Sequence, residues 1–233
     1  MTALKVASYN IHKAVGIDRR YDPARILRVL VEMDADIVVL QEADKRLGKR
    51  PAAIPHFLLE QDTDYAVAHL ARNNVSLGWH GNAVLFKKSL TVEALEHIEL
   101  PGLEPRGAVM VAFEHLRIVG THLGLLRMWR HRQMKAILDH LNGETTQTLI
   151  MGDFNEWSTS SGFEPWSDSL SILRPGQSFH SRRPVAELDR MAYGAGITVH
   201  DHGVYKERTA RIASDHLPVW AFIESHPGAA GQN

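Results

Sequence analysis

The sequence predicts an α/β protein built on mixed β-sheets, and three observations support this fold class. Two stretches carry apolar residues at helical spacing. Nine short segments are rich in β-branched and apolar residues, as strands are. The first helical stretch lies between two of those segments, in a strand-helix-strand order. This alternation is typical of sheets that are covered by helices.

Two helices are predicted, one near the start of the chain and one near its middle. Asp22 and Pro23 suit the N-cap and the first position of a helix over about 22–34. Its apolar positions are Ile26, Leu27, Leu30 and Met33. The second helix is RMWRHRQMKAILDHL, 127–141. Its predicted buried stripe is Met134, Ile137, Leu138 and Leu141.

The predicted strands include one continuous apolar run and one hairpin. Ile37 to Leu40 should be buried on both faces of a sheet. VMVAFEH followed by LRIVGTHL is expected to form a hairpin. The other strands are expected at 4–10, 65–70, 82–87, 108–113, 116–122, 147–152, 190–193 and 216–223. The stretch 157–188 reads as a long surface loop with short helical pieces, and 225–233 as a flexible tail.

Composition narrows the function classes. The chain has 233 residues, of which 44% are hydrophobic and 23% are charged, which is typical of a globular protein. No apolar run is long enough for a transmembrane helix, and the first residues lack a secretory signal, so we expect a cytoplasmic protein. The absence of cysteine excludes disulfides, thiolate metal sites and a cysteine nucleophile.

Charge is nearly balanced overall but clustered locally. The net charge is −1, so no global positive field indicates a nucleic-acid partner. Three basic clusters nevertheless stand out: KRLGKR at 45–50, RMWRHRQMK at 127–135 and SRRP at 181–184. Each is either a solvated face or part of a positive rim around a binding site.

Polar side chains repeatedly follow the predicted strands. Asp153 and Asn155 are two residues apart, so on an extended chain they face the same ligand, although a turn explains the same residues. Strand ends are where α/β sheets build sites. The other polar residues at such ends are Asn10, His12, Glu42, His122, Asp189, Asp215 and His216.

The motifs LQE, GDFN and SDHLPV, in this order, resemble the endonuclease/exonuclease/phosphatase superfamily. That group includes apurinic endonucleases, deoxyribonuclease I, sphingomyelinases and inositol polyphosphate phosphatases. The resemblance extends from residue 5 to residue 223. It implies a four-layer αββα sandwich, with two mixed sheets packed face to face and helices outside. The motif order implies one catalytic domain over 1–224, with its site at one edge of both sheets.

The resemblance also implies roles for the polar residues. Glu42 is the leading metal ligand, with Asn10 and Asp215 close by, and oxygen donors of this kind suit one or two Mg²⁺ or Mn²⁺ ions. Asp153 would orient or deprotonate the attacking water, and Asn155 would bond a phosphoryl oxygen. Asp189 and His216 would form a dyad in which the carboxylate fixes the imidazole.

Other residues are expected to contact substrate. His122 would donate to the phosphate or assist the leaving group. Asn82 and Arg106 match substrate-contacting positions, although a turn and a surface arginine are the alternatives. Arg127 and Arg130 lie in GLLRMWR, 124–130, which suits a lipid interface as well as a nucleic acid if it is exposed.

The chain departs from the family pattern at two positions. His12 stands where apurinic endonucleases carry an acid, and it is counted here as a substrate-binding residue. Arg190 replaces the aromatic residue of the usual DY pair. The triplet HDH at 200–202 lacks helical ligand spacing, so we expect a surface loop there rather than a zinc centre.

These features predict a divalent-metal-dependent phosphodiester hydrolase, a nuclease first of all and a monomer. The alternative is a phosphodiesterase or phosphatase that acts on phospholipid head groups or small phosphate esters. A third possibility is a catalytically dead protein that binds phosphate-bearing partners. Four tryptophans could stack bases or belong to the core: Trp79, Trp129, Trp157 and Trp166.

Overall fold

The computed structural model describes residues 3–45 and 48–226. Over these residues the chain forms two six-stranded mixed β-sheets. The first sheet contains β1 (Leu4–Asn10), β2 (Ile37–Gln41), β3 (Tyr65–Val67), β4 (Ala83–Lys87), β11 (Ile197–Val204) and β12 (Val219–Ser225). The second contains β5 (Ala94–Leu100), β6 (Arg106–Phe113), β7 (Leu116–His122), β8 (Thr148–Asp153), β9 (Ser171–Leu173) and β10 (Asp189–Tyr193).

The helices are α1 (Pro23–Met33), α2 (His56–Asp62), α3 (Arg127–Leu141) and α4 (Ala210–Ala213). Two short 3₁₀ turns occur at His12–Ala14 and Glu164–Trp166. None of the helices in the described parts of the chain is long and apolar enough to cross a membrane.

The two sheets share one pattern of strand directions. Their orders are β11-β12-β1-β2-β4-β3 and β5-β6-β7-β8-β10-β9. In each, one central parallel pair is flanked by antiparallel strands. The parallel pairs are β1 with β2, joined through α1, and β7 with β8, joined through α3. Asn10 lies opposite Gln41 in the first pair, and His122 lies opposite Asp153 in the second.

Three apolar clusters stack through the molecule and define four layers. Residues of β2 alternate between two of them: Val38 and Leu40 pack under α1, whereas Ile37 and Val39 face the second sheet. The third cluster lies between the second sheet and α3 and includes Met134, Ile137 and Ile150. Burial on both faces explains why β2 is continuously apolar, as predicted. The four-layer sandwich is confirmed.

The remaining predicted elements agree in part. The helix over 127–141 and the hairpin of β6 and β7 are confirmed. The strand predicted at 65–70 ends at Val67, and the one predicted at 216–223 begins at Val219. Asp215 and His216 therefore precede the last strand and lie in the connection that follows α4. The predicted tail begins inside β12 at Ser225, and 227–233 lies outside the described residues.

The sequence interpretation missed five elements: α2, α4, β5, β9 and β11. Strand β9 interrupts the predicted loop over 157–188. The expectation of a surface loop at 200–202 was wrong, because HDH lies in β11, an exposed edge strand with a bulge between Val199 and Asp201. One face of an edge strand can be wholly polar, so β11 lacks the apolar run that would reveal it.

Candidate active site

The first sheet contributes the turn that follows β1 and the residue that follows β2. The Asn10 side chain accepts a hydrogen bond from the backbone N–H of His12 at 3.1 Å. Its Nδ2 donates to Asp153 Oδ2 at 3.1 Å, which links the two sheets. The backbone N–H of Lys13 donates to the carbonyl oxygen of Glu42, and the Lys13 ammonium forms an ion pair with the Glu42 carboxylate. Asn10 and Glu42 thus lie at neighbouring strand ends.

The second sheet contributes Asp153 and His122, which end the parallel strands β8 and β7. His122 Nε2 lies 3.4 Å from Asp153 Oδ2. The other oxygen of Asp153 accepts a hydrogen bond from the backbone N–H of Asn155 at 3.0 Å. Asn155 adopts a φ of 51° and donates from Nδ2 to the carbonyl oxygen of Leu123 at 2.8 Å. The turn and the paired polar residues therefore coexist, because the turn orients both side chains.

Asp189 and His216 form a buried dyad beside Asp153. Strand β10 pairs with β8 so that Asp189 lies opposite Asp153. His216 Nδ1 lies 2.8 Å from Asp189 Oδ2, and Ser178 Oγ donates to the same oxygen at 2.5 Å. His216 Nε2 lies 3.6 Å from Asp153 Oδ2. The imidazole is thus held between two carboxylates.

The two acidic neighbours determine the charge of this imidazole. Burial alone would lower the pKa of His216, but the carboxylates of Asp189 and Asp153 outweigh burial and raise it to about 10. Burial raises the pKa of Asp153 to about 6, although the positive charge of His216 opposes this rise. Both carboxylates therefore favour the protonated form of His216, whose Nε2 faces Asp153.

A cleft of about 350 Å³ opens beside these groups, and both sheets contribute to its walls. Glu42 comes from the first sheet, and Arg106 and His122 come from the second. The remaining basic residues of the lining are Lys13, Lys45, Arg50 and His80. Lys45 and Arg50 belong to the basic cluster at 45–50, of which 46–47 lies outside the described residues. The lining also contains Asp44 and Glu104, so four Lys and Arg residues are nearly balanced by three acidic ones, and Lys45 and Arg50 supply the small excess of positive charge that would attract an anionic ligand.

Two groups of side chains have the donor chemistry of a metal site. Atoms of Asp153, Asp189 and His216 lie within 4.8 Å of one another. The same three side chains also have the donors and acceptors that proton transfer needs, so this group suits either role. The carboxylate of Glu42 already attracts the Lys13 ammonium and faces the cleft. Oxygen donors there fit a hard divalent cation.

Comparison with known proteins agrees with this geometry. The sequence model described as the Endonuclease/Exonuclease/phosphatase family matches residues 7–216, which include Asn10, Glu42, Asp153 and His216. The chain belongs to the endonuclease/exonuclease/phosphatase family. A search of curated proteins found no match.

Solved structures of family members share the fold at low sequence identity. An endonuclease/exonuclease/phosphatase protein from Beutenbergia cavernae is 21% identical, with a TM-score of 0.73 over 98% of this chain and 73% of that one. TDP2 from D. rerio, complexed with a single strand DNA product, is 15% identical, with a TM-score of 0.71 over 97% and 100% of the two chains. A mannosyl-6-phosphatase from Bacteroides thetaiotaomicron is 16% identical, with a TM-score of 0.72 over 95% and 99%.

Three residues predicted to contact substrate lie near the site, and each already has a partner within the protein. His12 Nδ1 lies 3.9 Å from Asp215 Oδ1, so the substituted histidine adjoins a predicted metal ligand. Asn82 is buried and donates to the carbonyl oxygen of Gly107 at 2.9 Å. Arg106 lines the cleft and pairs with Glu104.

The two arginines predicted from the second basic cluster have other partners. Arg127 is exposed and pairs with Glu164 at 2.7 Å. Arg130 is buried, and its guanidinium donates to Glu156 Oε2 at 2.7 Å. Its Nη1 also donates to the carbonyl oxygen of Leu125 at 2.5 Å. Because its guanidinium already bonds Glu156 and Leu125, Arg130 is not expected to bind substrate and is not part of the site proposed below.

Sequence reasoning missed Lys13, Ser178 and Tyr9. Lys13 directly follows His12 in NIHK, so the motif itself contained the signal. Ser178 lies in the long connection before β10, where no local pattern indicates its bond to Asp189. Tyr9 is wholly buried, and burial followed by the nearby Asp215 raises its pKa far above the usual value.

Arg190, where the family has an aromatic residue, is fully buried. It donates to the carbonyl oxygens of Glu156 and Ser158, each at 2.8 Å. The guanidinium therefore fixes the backbone that follows Asn155, on both sides of Trp157. Trp157 is 62% exposed, whereas Trp79 and Trp166 are core residues.

Proposed function

We propose that this chain is a divalent-metal-dependent phosphodiester hydrolase in which an activated water attacks phosphorus. The observation that carries this proposal is the convergence of Asp153, His122 and the Asp189–His216 dyad beside the cleft that Glu42 lines. A base, acids and a cation-attracting carboxylate are the groups that phosphodiester hydrolysis requires.

Each side chain has a role that follows from its position and its partners. Asp153 accepts a proton from the water while the new phosphorus–oxygen bond forms. His216 donates from Nε2 to a phosphoryl oxygen, and Asp189 holds the ring in place. His122 supplies a proton to the leaving oxygen as its bond to phosphorus breaks. The second N–H of the Asn155 amide donates to a phosphoryl oxygen.

Glu42, with Asn10 and Asp215, would hold Mg²⁺ or Mn²⁺. When bound, the ion supplies positive charge that stabilises the charge growing on the phosphoryl oxygens. Lys13 pairs with Glu42 and would move aside for the ion. Arg106, together with Lys45 and Arg50, would attract the substrate phosphate into the cleft.

Two substrate classes fit a cleft with a small excess of positive charge. Nucleic acid is supported by the basic lining and by the DNA product found with the TDP2 structure. A lipid phosphoester is supported by the apolar residues Leu103, Leu125 and Leu126, which are exposed beside the cleft, and the size of the cleft also suits a small phosphate ester. Incubation with Mg²⁺ or Mn²⁺ and plasmid, single-stranded DNA, RNA, phospholipid vesicles and a soluble phosphodiester separates them. Cleavage of none of these substrates would contradict the proposal.

Glu42→Ala tests the metal site directly. We expect metal-dependent hydrolysis of the soluble phosphodiester to fall by at least about a hundredfold, the scale of deleting one charge-stabilising group. Glu114→Gln is the control, because Glu114 is exposed at the opposite end of β7 and should retain the wild-type rate. An unchanged rate for Glu42→Ala at saturating Mg²⁺ would show that Glu42 is not a ligand.

Asp153→Ala distinguishes an enzyme from a protein that only binds phosphate. We expect this variant to bind the substrate without cutting it, while the wild type cuts. If both proteins bind and neither cuts any substrate of the panel, the chain is a phosphate-binding member of the family.

A further inference from the structure

Large apolar side chains are exposed on two adjacent loops beside the cleft. The connection between β7 and α3 presents Leu125 and Leu126, which are 64% and 59% exposed, and the first turn of α3 presents Met128, which is 55% exposed. The loop between β5 and β6 presents Leu103, which is 81% exposed. These four residues are called the apolar ledge. Leu103, Leu125 and Leu126 line one small groove of about 80 Å³ together with Trp129. The three leucines of the ledge therefore form one continuous surface built from two loops, and Met128 follows Leu126 at the start of α3.

The backbone beneath the ledge is held from inside by polar groups. Gln133, which is buried, accepts from the backbone N–H of Gly124 at 2.8 Å and donates to the carbonyl oxygen of Pro101 at 3.0 Å. Arg130 donates to the carbonyl oxygen of Leu125. Both loops are thus fixed to α3. The leucines remain exposed while polar residues occupy the interior, which inverts the usual arrangement. Such an inversion indicates a contact surface.

The ledge adjoins the proposed catalytic groups. Leu125 follows His122 by three residues. Glu104 and Arg106 line both the cleft and the groove. A molecule seated on the ledge therefore has its neighbouring polar part at the cleft.

Two cations follow Met128 by four and seven residues on α3, so all three side chains share one face of that helix. Arg132 and Lys135 are exposed, and neither forms an ion pair with another described residue. The Arg132 guanidinium lies 4.8 Å from the ring centroid of Trp129. Apolar side chains next to free cations and a tryptophan are the composition of a surface that binds a membrane interface.

We propose that the apolar ledge docks on a phospholipid surface and brings head-group phosphoesters to the cleft. This inference rests on the proposed hydrolase function for its substrate, but the docking itself does not depend on catalysis. Aliphatic side chains insert below head groups, whereas a nucleic acid is held by stacked rings and cations, which leucine does not provide. Arg132 and Lys135 supply the complementary charge for anionic head groups.

The first test is co-sedimentation with vesicles of phosphatidylcholine, with and without phosphatidylglycerol. We expect the wild type to bind, and the double variant Leu125→Ser/Leu126→Ser to bind at least about tenfold more weakly, because burying one leucine is worth about that factor. Val31→Ser is the matched control, since Val31 is 52% exposed on α1 near the opposite end of the first sheet. Equal melting temperatures show that both variants are folded.

The second test separates charge from insertion. Arg132→Gln/Lys135→Gln should weaken binding only to vesicles that contain phosphatidylglycerol, by about tenfold at low salt. Binding by the control and the serine variant to the same extent would overturn the proposal. A wild type that binds neither kind of vesicle would also overturn it. So would serine substitutions that leave vesicle binding unchanged and only dissociate a dimer or weaken binding of single-stranded DNA.

Hydrolysis of a soluble phosphodiester by the wild type distinguishes the two proposals. If the protein cleaves the soluble ester but does not bind vesicles, the hydrolase proposal stands and the membrane-docking proposal is wrong. A protein that binds vesicles through the leucines and cleaves nothing keeps the ledge and loses the hydrolase assignment.

Discussion

The two parallel strand-helix-strand units, β1-α1-β2 and β7-α3-β8, have the same topology but differ in their helices. The strands of both units end on proposed site residues. Both helices end at a residue in the left-handed conformation, Asp34 for α1 and Asn142 for α3. Helix α1 buries only apolar side chains and is capped by Asp22. Helix α3 buries Arg130 and Gln133 and has no side-chain cap.

This difference indicates that the units divide stability and function between them. In the first unit the sequence follows the ordinary rule, with apolar residues inside and polar residues outside. In the second unit, buried polar groups hold the loops beside His122 and Asp153. The ledge lies beside these loops, with Leu125, Leu126 and Met128 from this unit and Leu103 from the loop between β5 and β6. The rule that apolar residues are buried and polar residues exposed is thus broken next to the candidate active site.

The largest expected effect comes from the buried pair of Arg130 and Glu156 in the second unit, whose side chains are each 6% exposed. Glu156→Ala leaves a buried guanidinium without its partner, which should lower the free energy of unfolding by about 4 kcal/mol. Urea denaturation measures this loss. Asp18 pairs with Arg25 of α1 and is 34% exposed, so it is much less buried than Glu156. Asp18→Ala should therefore lower the free energy of unfolding much less. Equal losses would show that the units do not differ in this respect.

The Glu156 pair also predicts a pH dependence. Burial raises the pKa of Glu156, but the Ser158 N–H and Arg130 more than offset burial, so the folded pKa lies below the ordinary 4.5. A lowered folded pKa stabilises the protein above pH 4.5, and this contribution is lost as the pH falls through the folded pKa. Glu156→Gln should remove that part of the acid sensitivity in urea melts taken from neutral pH downward.

The apolar face of α1 should respond strongly as well. Leu30 is fully buried, so Leu30→Ala should cost about 3 kcal/mol through lost burial and a cavity. Its neighbour Val31 is 52% exposed, and Val31→Ala should change stability by less than about 0.5 kcal/mol. Denaturant melts of both variants decide whether α1 is stabilised by one face only.

The sequence located the strands and helices of both units, but it predicted which side chains are buried better in α1 than in α3. Helix spacing and the Asp22–Pro23 start located α1, and the buried run located β2. In the second unit, Arg130 was expected to contact substrate because it lies in the basic segment 124–130. The sequence did not reveal its burial, because a buried arginine is rare and its partner Glu156 lies 26 residues away. The motifs located Asp153 and His216. Only the folded chain shows that β8 pairs with β10 and thereby places Asp189 opposite Asp153.

The N-cap of α1 should have a moderate effect. Asp22 Oδ1 accepts a hydrogen bond from the backbone N–H of Arg25 at 3.0 Å. Asp22→Ala should therefore cost about 1 kcal/mol in denaturant melts, whereas Asp22→Ser should retain most of the cap. A loss of the same size from both variants would point to the nearby arginines, which also pair with Asp22, rather than to the cap.

The smallest effect is expected at the N-cap of α3, and its sign is opposite. Leu126 occupies this position with φ −89° and ψ 128°, the extended geometry that a capping aspartate adopts. Leu126→Asp should therefore raise the free energy of unfolding by about 0.5 kcal/mol, since it adds a cap and removes an exposed leucine. The same substitution should weaken vesicle binding, because it replaces part of the ledge with a negative charge. A variant that is more stable but docks less well would show that the second unit gives up helix stability for its surface, whereas a loss of stability would show that Leu126 is needed by the fold itself.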